Sequence, residues 1–256
     1  MKTVVLGRTG IKVPQNAFGA LPIQRVPDEM AVKLLRQAYE GGMRYFDTAR
    51  AYTDSEKKLG LAFGDGIREK LFIATKTMAK TPEAFWEDLT TSLAMLRTDY
   101  IDVYQFHCAE KCYRPGDGTG MYEAMQEAQA QEKIRHIGIT AHKLGVAMEA
   151  AQSGLYATLQ FPFSYLSGDK EEELVRICQE NQVGFICMKG LAGGLIANSR
   201  AAMAFVAQYD GALPIWGIPI APMNSIRRNF YRKTMLIING FWLAKSKFAE
   251  TDCVIE

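Results

Sequence analysis

Four side chains in the first half of the sequence have types and spacing suited to passing a proton to a carbonyl oxygen: Asp47, Tyr52, Lys76 and His107. A phenol is a weak acid at neutral pH, its free pKa lying near ~10. An ammonium about 4 Å away, at an effective dielectric of ~20, stabilises the phenolate by up to ~4 kcal/mol, or ~3 pK units. Lys76 carries the charge to do this for Tyr52, and Asp47 carries the charge to hold Lys76. His107 can hydrogen-bond a carbonyl and orient it. Taken alone, Asp47 and Lys76 could be a structural ion pair. The tyrosine and the histidine beside them turn the set toward catalysis.

Such groups must be brought to one place, and the sequence contains a device for that. Eight short apolar runs recur about every 20 to 30 residues: 16–19, 43–46, 71–74, 101–106, 137–140, 157–161, 183–188 and 213–218. Amphipathic segments lie between them. The clearest is Asp28 to Tyr39, with Ala31, Leu34, Leu35 and Ala38 on one helical stripe, Pro27 before it and Gly41-Gly42 after it. Pro82 to Leu96, Met121 to Gln131, Lys143 to Gln152, Asp169 to Asn181 and Ser199 to Tyr209 read the same way. Parallel neighbours need long crossovers, so this alternation predicts an α/β fold, a (β/α)₈ TIM barrel, with an open doubly wound sheet as the structural alternative. Val4 to Val13, interrupted by Gly7-Arg-Thr-Gly10, predicts an N-terminal β-hairpin. In a barrel, the C-terminal strand ends carry the chemistry. Asp47, Lys76 and His107 fall at the ends of the second, third and fourth predicted strands, with Tyr52 in the loop after the second.

Composition narrows the field further. The chain has 256 residues, 48% of them hydrophobic, enough for one large core. A formal net charge of +2 gives no signature of a nucleic-acid binder. No run suffices to span a bilayer, and the opening residues are too polar for a signal peptide. Five scattered cysteines read as reduced thiols, so the expected location is cytoplasmic. Cys108 and Cys112, three residues apart, follow His107 without a further ligand pair, so no metal is expected. Gly116-Asp-Gly-Thr-Gly120 follows a polar segment and reads as a loop opening a helix, not as a dinucleotide fingerprint.

The stretch Gly42-Met-Arg-Tyr-Phe-Asp-Thr-Ala49, followed by Tyr52 and Glu56-Lys-Lys-Leu-Gly60, resembles the signature of the aldo/keto reductase family. Ala74-Thr-Lys76-Thr is similar to that family's lysine strand, and Asp102-Val-Tyr-Gln-Phe-His107 to its histidine strand. Gly7-Arg-Thr-Gly-Ile-Lys-Val and Phe18-Gly-Ala-Leu also fit, and the likeness runs from about residue 3 to about residue 218. It implies reduction of a small-molecule aldehyde or ketone with a nicotinamide cofactor, usually NADPH, with NADH the other option. It further implies that Thr140 and Gln160 contact the nicotinamide carboxamide. Lys189, Gly190, Leu191 and Gly193, in Met188-Lys-Gly-Leu-Ala-Gly-Gly194, would approach the pyrophosphate. Bacterial relatives with a C-terminal ferredoxin-like domain look nearest, and that domain's cysteine cluster has no counterpart here.

After residue 218 the likeness stops. Residues 1–218 form the expected barrel and 219–256 a divergent C-terminal region, with six Lys or Arg against three acidic residues. Three origins fit this region: a final helix packed on the barrel, an altered or truncated reading frame, and a basic aromatic segment for a partner or membrane surface. Ser225, Arg227 and Arg228 are the candidates for replacing an adenosine clamp. Two functional classes follow: a carbonyl reductase, and a cofactor-impaired barrel acting as a binding or regulatory module. Substrate and oligomeric state leave no mark in the sequence.

Overall fold

The computed structural model describes residues 2–64 and 66–217. The hairpin consists of β1 (Thr3–Val5) and β2 (Lys12–Pro14), antiparallel, with Val4 facing Val13. Eight parallel strands follow: β3 (Ala17–Gly19), β4 (Tyr45–Asp47), β5 (Phe72–Thr77), β6 (Ile101–Phe106), β7 (Ile134–Thr140), β8 (Thr158–Pro162), β9 (Gly184–Met188) and β10 (Ala212–Gly217). They pair in chain order, and β10 pairs with β3 to close the barrel. The open-sheet alternative is therefore set aside, and the (β/α)₈ barrel is the fold.

Seven helices lie among the described residues, one after each of the first seven barrel strands: α1 (Asp28–Glu40), α2 (Ser55–Phe63), α3 (Pro82–Leu96), α4 (Met121–Ala130), α5 (Leu144–Gln152), α6 (Asp169–Glu180) and α7 (Ser199–Val206). α1 buries Ala31, Leu34, Leu35 and Ala38, the stripe that its sequence spacing requires. The start of α3 is fixed by Thr81, whose hydroxyl accepts the Ala84 N–H at 3.3 Å, and by Pro82 in the first turn. None of these helices is long and apolar enough to cross a membrane. The expectations for residues 219–256, including Ser225, Arg227 and Arg228, fall outside the described residues.

Alternation along each strand divides the hydrophobic residues between two cores. Outward-facing Phe46, Ile73, Tyr104, Ile139 and Leu159 pack under the helices. Inward-facing Ala17, Tyr45, Ala74, Val103, Ile186 and Leu213 fill the lower barrel, where Val4, Leu6, Ile11 and Val13 of the hairpin meet them. The hairpin is tied to the N-terminal strand ends. Arg8 N–H donates to Gln182 O at 2.7 Å, and the Gln15 amide donates to Tyr209 O and Ala212 O at 3.0 and 2.9 Å. One end of the barrel is thereby plugged, and the other end is left to chemistry.

Candidate active site

One step above the apolar layer, the inward positions turn polar. Asp47 ends β4, Lys76 is the fifth residue of β5, and both are buried. Lys76 Nζ donates to Asp47 Oδ1 at 2.5 Å and to the Thr48 carbonyl at 2.6 Å. These are the contacts of an ammonium–carboxylate pair sealed in the barrel. His107 follows β6 directly, its N–H bound to Thr77 O at 2.9 Å. Tyr52 sits in the loop between β4 and α2, and its ring meets His107 edge-on at 5.6 Å between centroids. Lys76 Nζ lies 5.3 Å from the Tyr52 ring centroid. The four residues singled out in the sequence thus converge on one rim.

The Tyr52 loop is held from below. Thr48 N–H donates to Ala74 O and Arg50 N–H to Lys76 O, at 2.8 and 3.0 Å, so the loop extends the β4–β5 pairing. Glu56, buried in α2, accepts from Thr75 Oγ1 at 2.6 Å, from Ser92 Oγ at 2.7 Å and from Arg50. Three segments are pinned around one carboxylate, and the ring above them has little freedom.

Burial dominates the electrostatics. It pushes Asp47 above the ordinary carboxylate range, opposed chiefly by the Lys76 charge and further by the Gln160 and Gln105 amides. It pulls Lys76 below the usual lysine value, with the Asp47 charge opposing. Tyr52 is raised, first by burial and then by the Asp47 carboxylate. The ammonium therefore does not outweigh desolvation of the phenol. Lys76 gives its hydrogen bonds to Asp47 and Thr48. His107 is lowered from 6.5 to about 3 by burial, with the Lys76 charge second and His142 third. It is a neutral imidazole at physiological pH.

Beside these groups opens a cleft of about 520 Å³, bounded by Leu21 and Pro22 on one side and Met188 to Leu191 on the other. Thr140, at the end of β7, and Gln160, in β8, line it, as do Lys189, Gly190, Leu191, Gly193 and Gly194. All six residues expected to touch a cofactor are therefore on its walls. Gly190 is packed against the Trp216 ring so closely that a Cβ there would sit 2.7 Å from the ring edge. A second hollow of about 580 Å³ lies at the hairpin end, lined by Lys2, Gln15, Gln179 and Asp210. No reactive set converges there, so chemistry and not volume identifies the site.

The donor set fits a nicotinamide nucleotide. Thr140 Oγ1 accepts the Cys108 N–H at 2.7 Å, leaving its own proton free. The Gln160 amide reaches Met188 Sδ at 3.8 Å, a weak acceptor, so that N–H is available to a better one. Backbone at Gly193 and Gly194 has positive φ and open space beside it, as a loop wrapping an anion requires. Among the described residues there is no group of three or more His, Cys, Asp and Glu able to hold a metal.

Three residues of the site escaped the sequence reading. Gln105 sat inside an apolar run, and its parity with Val103 was the available signal that it faces inward. Trp216 was assigned only to a strand. Glu56 was part of a motif whose buried role no spacing reveals.

A family model described as the aldo/keto reductase family matches residues 15–208. Among curated proteins, aldo-keto reductase YhdN of Bacillus subtilis is 27% identical over 216 residues, covering 77% of this chain and 64% of that protein. Aldo-keto reductase AFTS1 of Alternaria alternata is 26% identical over 243 residues, covering 75% and 66%. The chain therefore spans just under two thirds of the length of these relatives. Among solved structures, an aldo-keto reductase from Bacillus halodurans in its holo form superposes with TM-score 0.73 at 21% identity, covering 91% of this chain and 96% of that one. One from Klebsiella pneumoniae in complex with NADPH gives 0.72 at 21% identity, covering 91% and 95%. At these identities the likeness of structure is one of fold.

Proposed function

The chain belongs to the aldo/keto reductase family, and on that premise we propose that it reduces an aldehyde or ketone to an alcohol with NADPH. The observation that carries this is the convergence of Asp47, Tyr52, Lys76 and His107 beside a cleft whose far wall offers hydrogen-bond donors. Residues 1–218 form the catalytic barrel in this reading.

A nicotinamide cofactor, when bound, would supply the hydride. Thr140 and Gln160 would hold its carboxamide, and Lys189, Gly190, Leu191 and Gly193 would approach its phosphates. Everything else falls to the four rim groups. Tyr52 gives its hydroxyl proton to the carbonyl oxygen as negative charge develops there. Its raised pKa keeps that proton in place until then. Lys76, fixed by Asp47, places a positive charge near the ring as phenolate forms. Neutral His107 donates an N–H to the carbonyl and turns it toward Tyr52.

The test is a titration with NADPH followed by protein fluorescence, paired with turnover of nitrobenzaldehyde by the wild type and Tyr52→Phe. Saturable quenching in the micromolar range, with Tyr52→Phe roughly 10²-fold or more slower, supports the reductase. Equal rates in both proteins remove Tyr52 from the chemistry. No binding up to millimolar NADPH in the folded chain favours the cofactor-impaired barrel instead.

A further inference from the structure

We infer that Gln105 is a positioning residue: it carries the polarity of the Asp47 carboxylate across the barrel to Gln160 and fixes which face of that amide meets the cofactor. The inference rests on the reductase reading for the identity of the ligand. Its geometry is independent of that reading.

Gln105 lies on β6 with no exposed surface. Its Nε2 donates to Asp47 Oδ2 at 3.4 Å and to Gln160 Oε1 at 3.2 Å. A carboxylate only accepts hydrogen bonds, so the amide must turn its N–H₂ toward Asp47. The second N–H then falls to Gln160, whose oxygen is thereby engaged inside the barrel. Gln160 also turns one N–H toward Asp47, so what it has left for the cleft is the other N–H, which meets only Met188 Sδ. Thr140 likewise presents a donor there, because its oxygen already accepts from Cys108. A carboxamide bound between them is gripped through its oxygen, and its nitrogen is turned away.

Two further observations set Gln105 apart from packing. Its own oxygen is buried without a partner, an arrangement that costs stability and that an apolar side chain of similar size would avoid. Gly138, its register partner on β7, leaves the neighbouring position open: a Cβ there would collide first with Thr158 Oγ1 and would stand 2.9 Å from Gln105 Cγ. A buried amide with an orphaned oxygen marks a requirement of the site.

A double-mutant cycle on the full chain tests this. NADPH affinity is measured by fluorescence for the wild type, Gln105→Leu, Gln160→Leu and the double variant, with kcat and KM alongside. Gln105→Leu should weaken NADPH binding about three- to tenfold, the effect of one or two net hydrogen bonds. KM for NADPH should change more than kcat, and the melting temperature should fall modestly, because Asp47 Oδ2 and Gln160 Oε1 lose their donor while one orphaned oxygen is removed. In the Gln160→Leu background, the same substitution should change the affinity little, because its path is gone. Gln105→Met repeats the cycle should leucine disturb the fold. Additive losses, or wild-type affinity in Gln105→Leu, overturn the inference while leaving the reductase standing. A wild type that binds no NADPH overturns both.

Discussion

Toward the hairpin, the barrel interior is Tyr45, Ala74, Val103, Ile186 and Leu213. Two residues further along the same strands it is Asp47, Lys76, Gln105, Met188 and Ile215, and on β7 and β8 Thr140 and Gln160. A shift of two residues, about 7 Å, preserves the inward face and exchanges an apolar layer for a charged one. The lower layer adds stability by excluding water from close-packed hydrocarbon. Asp47, Lys76 and Gln105 of the upper layer are buried as well, and there burial raises the cost of every charge and so sharpens what each charge can do. The first layer lets the second exist: a plugged, rigid floor keeps a buried ion pair in register with the Tyr52 loop.

The contrast can be broken most forcefully at Lys76. Lys76→Met leaves Asp47 buried without its partner and should cost about 3–5 kcal/mol in chemical denaturation. It should also abolish measurable turnover. The loss should shrink as pH falls and Asp47 takes up a proton, so a pH-independent loss would argue against an uncompensated carboxylate. At the other layer, Leu213→Ala should cost about 2–5 kcal/mol by opening a cavity. KM and kcat should stay near wild-type values at temperatures where the variant is folded. A large drop in kcat there would mean that the floor does more than support. Gly190→Ala, on the cleft wall, drives a methyl against Trp216 and should introduce roughly 1–3 kcal/mol of strain. It should appear mainly as weaker NADPH binding in the fluorescence titration. The smallest effect on stability at neutral pH belongs to His107→Gln. In the folded chain, His107 binds its proton only near pH 3, against 6.5 for the ordinary side chain. Between those values the unfolded chain holds the extra proton, so stability is intact above about 6.5 and drains as pH falls toward 3. Thermal melts from pH 7 to pH 4 should therefore fall less steeply for His107→Gln than for the wild type.

The two layers were not equally legible in the sequence. Strands β3 to β10 stood out because short apolar runs recur at a barrel's spacing, and β6 was placed to the residue. Asp47, Lys76 and His107 were readable because position at a strand end assigns a rim. A helical segment was expected after each of the first seven runs, but α2 alone was given no bounds: it buries Glu56 and Lys58 along with Leu59 and Phe63, so its polar positions do not trace a solvent face. Gln105 was masked for a related reason. Every residue of β6 is buried, and a strand covered on both faces shows no alternation of polarity. The electrostatics of Tyr52 went the other way from the sequence estimate, which counted the attraction of Lys76 and not the desolvation of the phenol. Burial has no local sequence signature.

The hairpin that plugs the barrel has a consequence during synthesis. Its anchors, Gln182, Tyr209 and Ala212, lie near the far end of the described chain, and Lys2 reaches Ala207 across a separation of 205 residues. At roughly 5–20 residues per second, a ribosome needs on the order of 10–40 s to make those partners after the hairpin itself has emerged. Through that interval Val4, Leu6, Ile11 and Val13 have no barrel to cover. The hairpin is made well before the segments that dock it, and until then its apolar face is open to a chaperone.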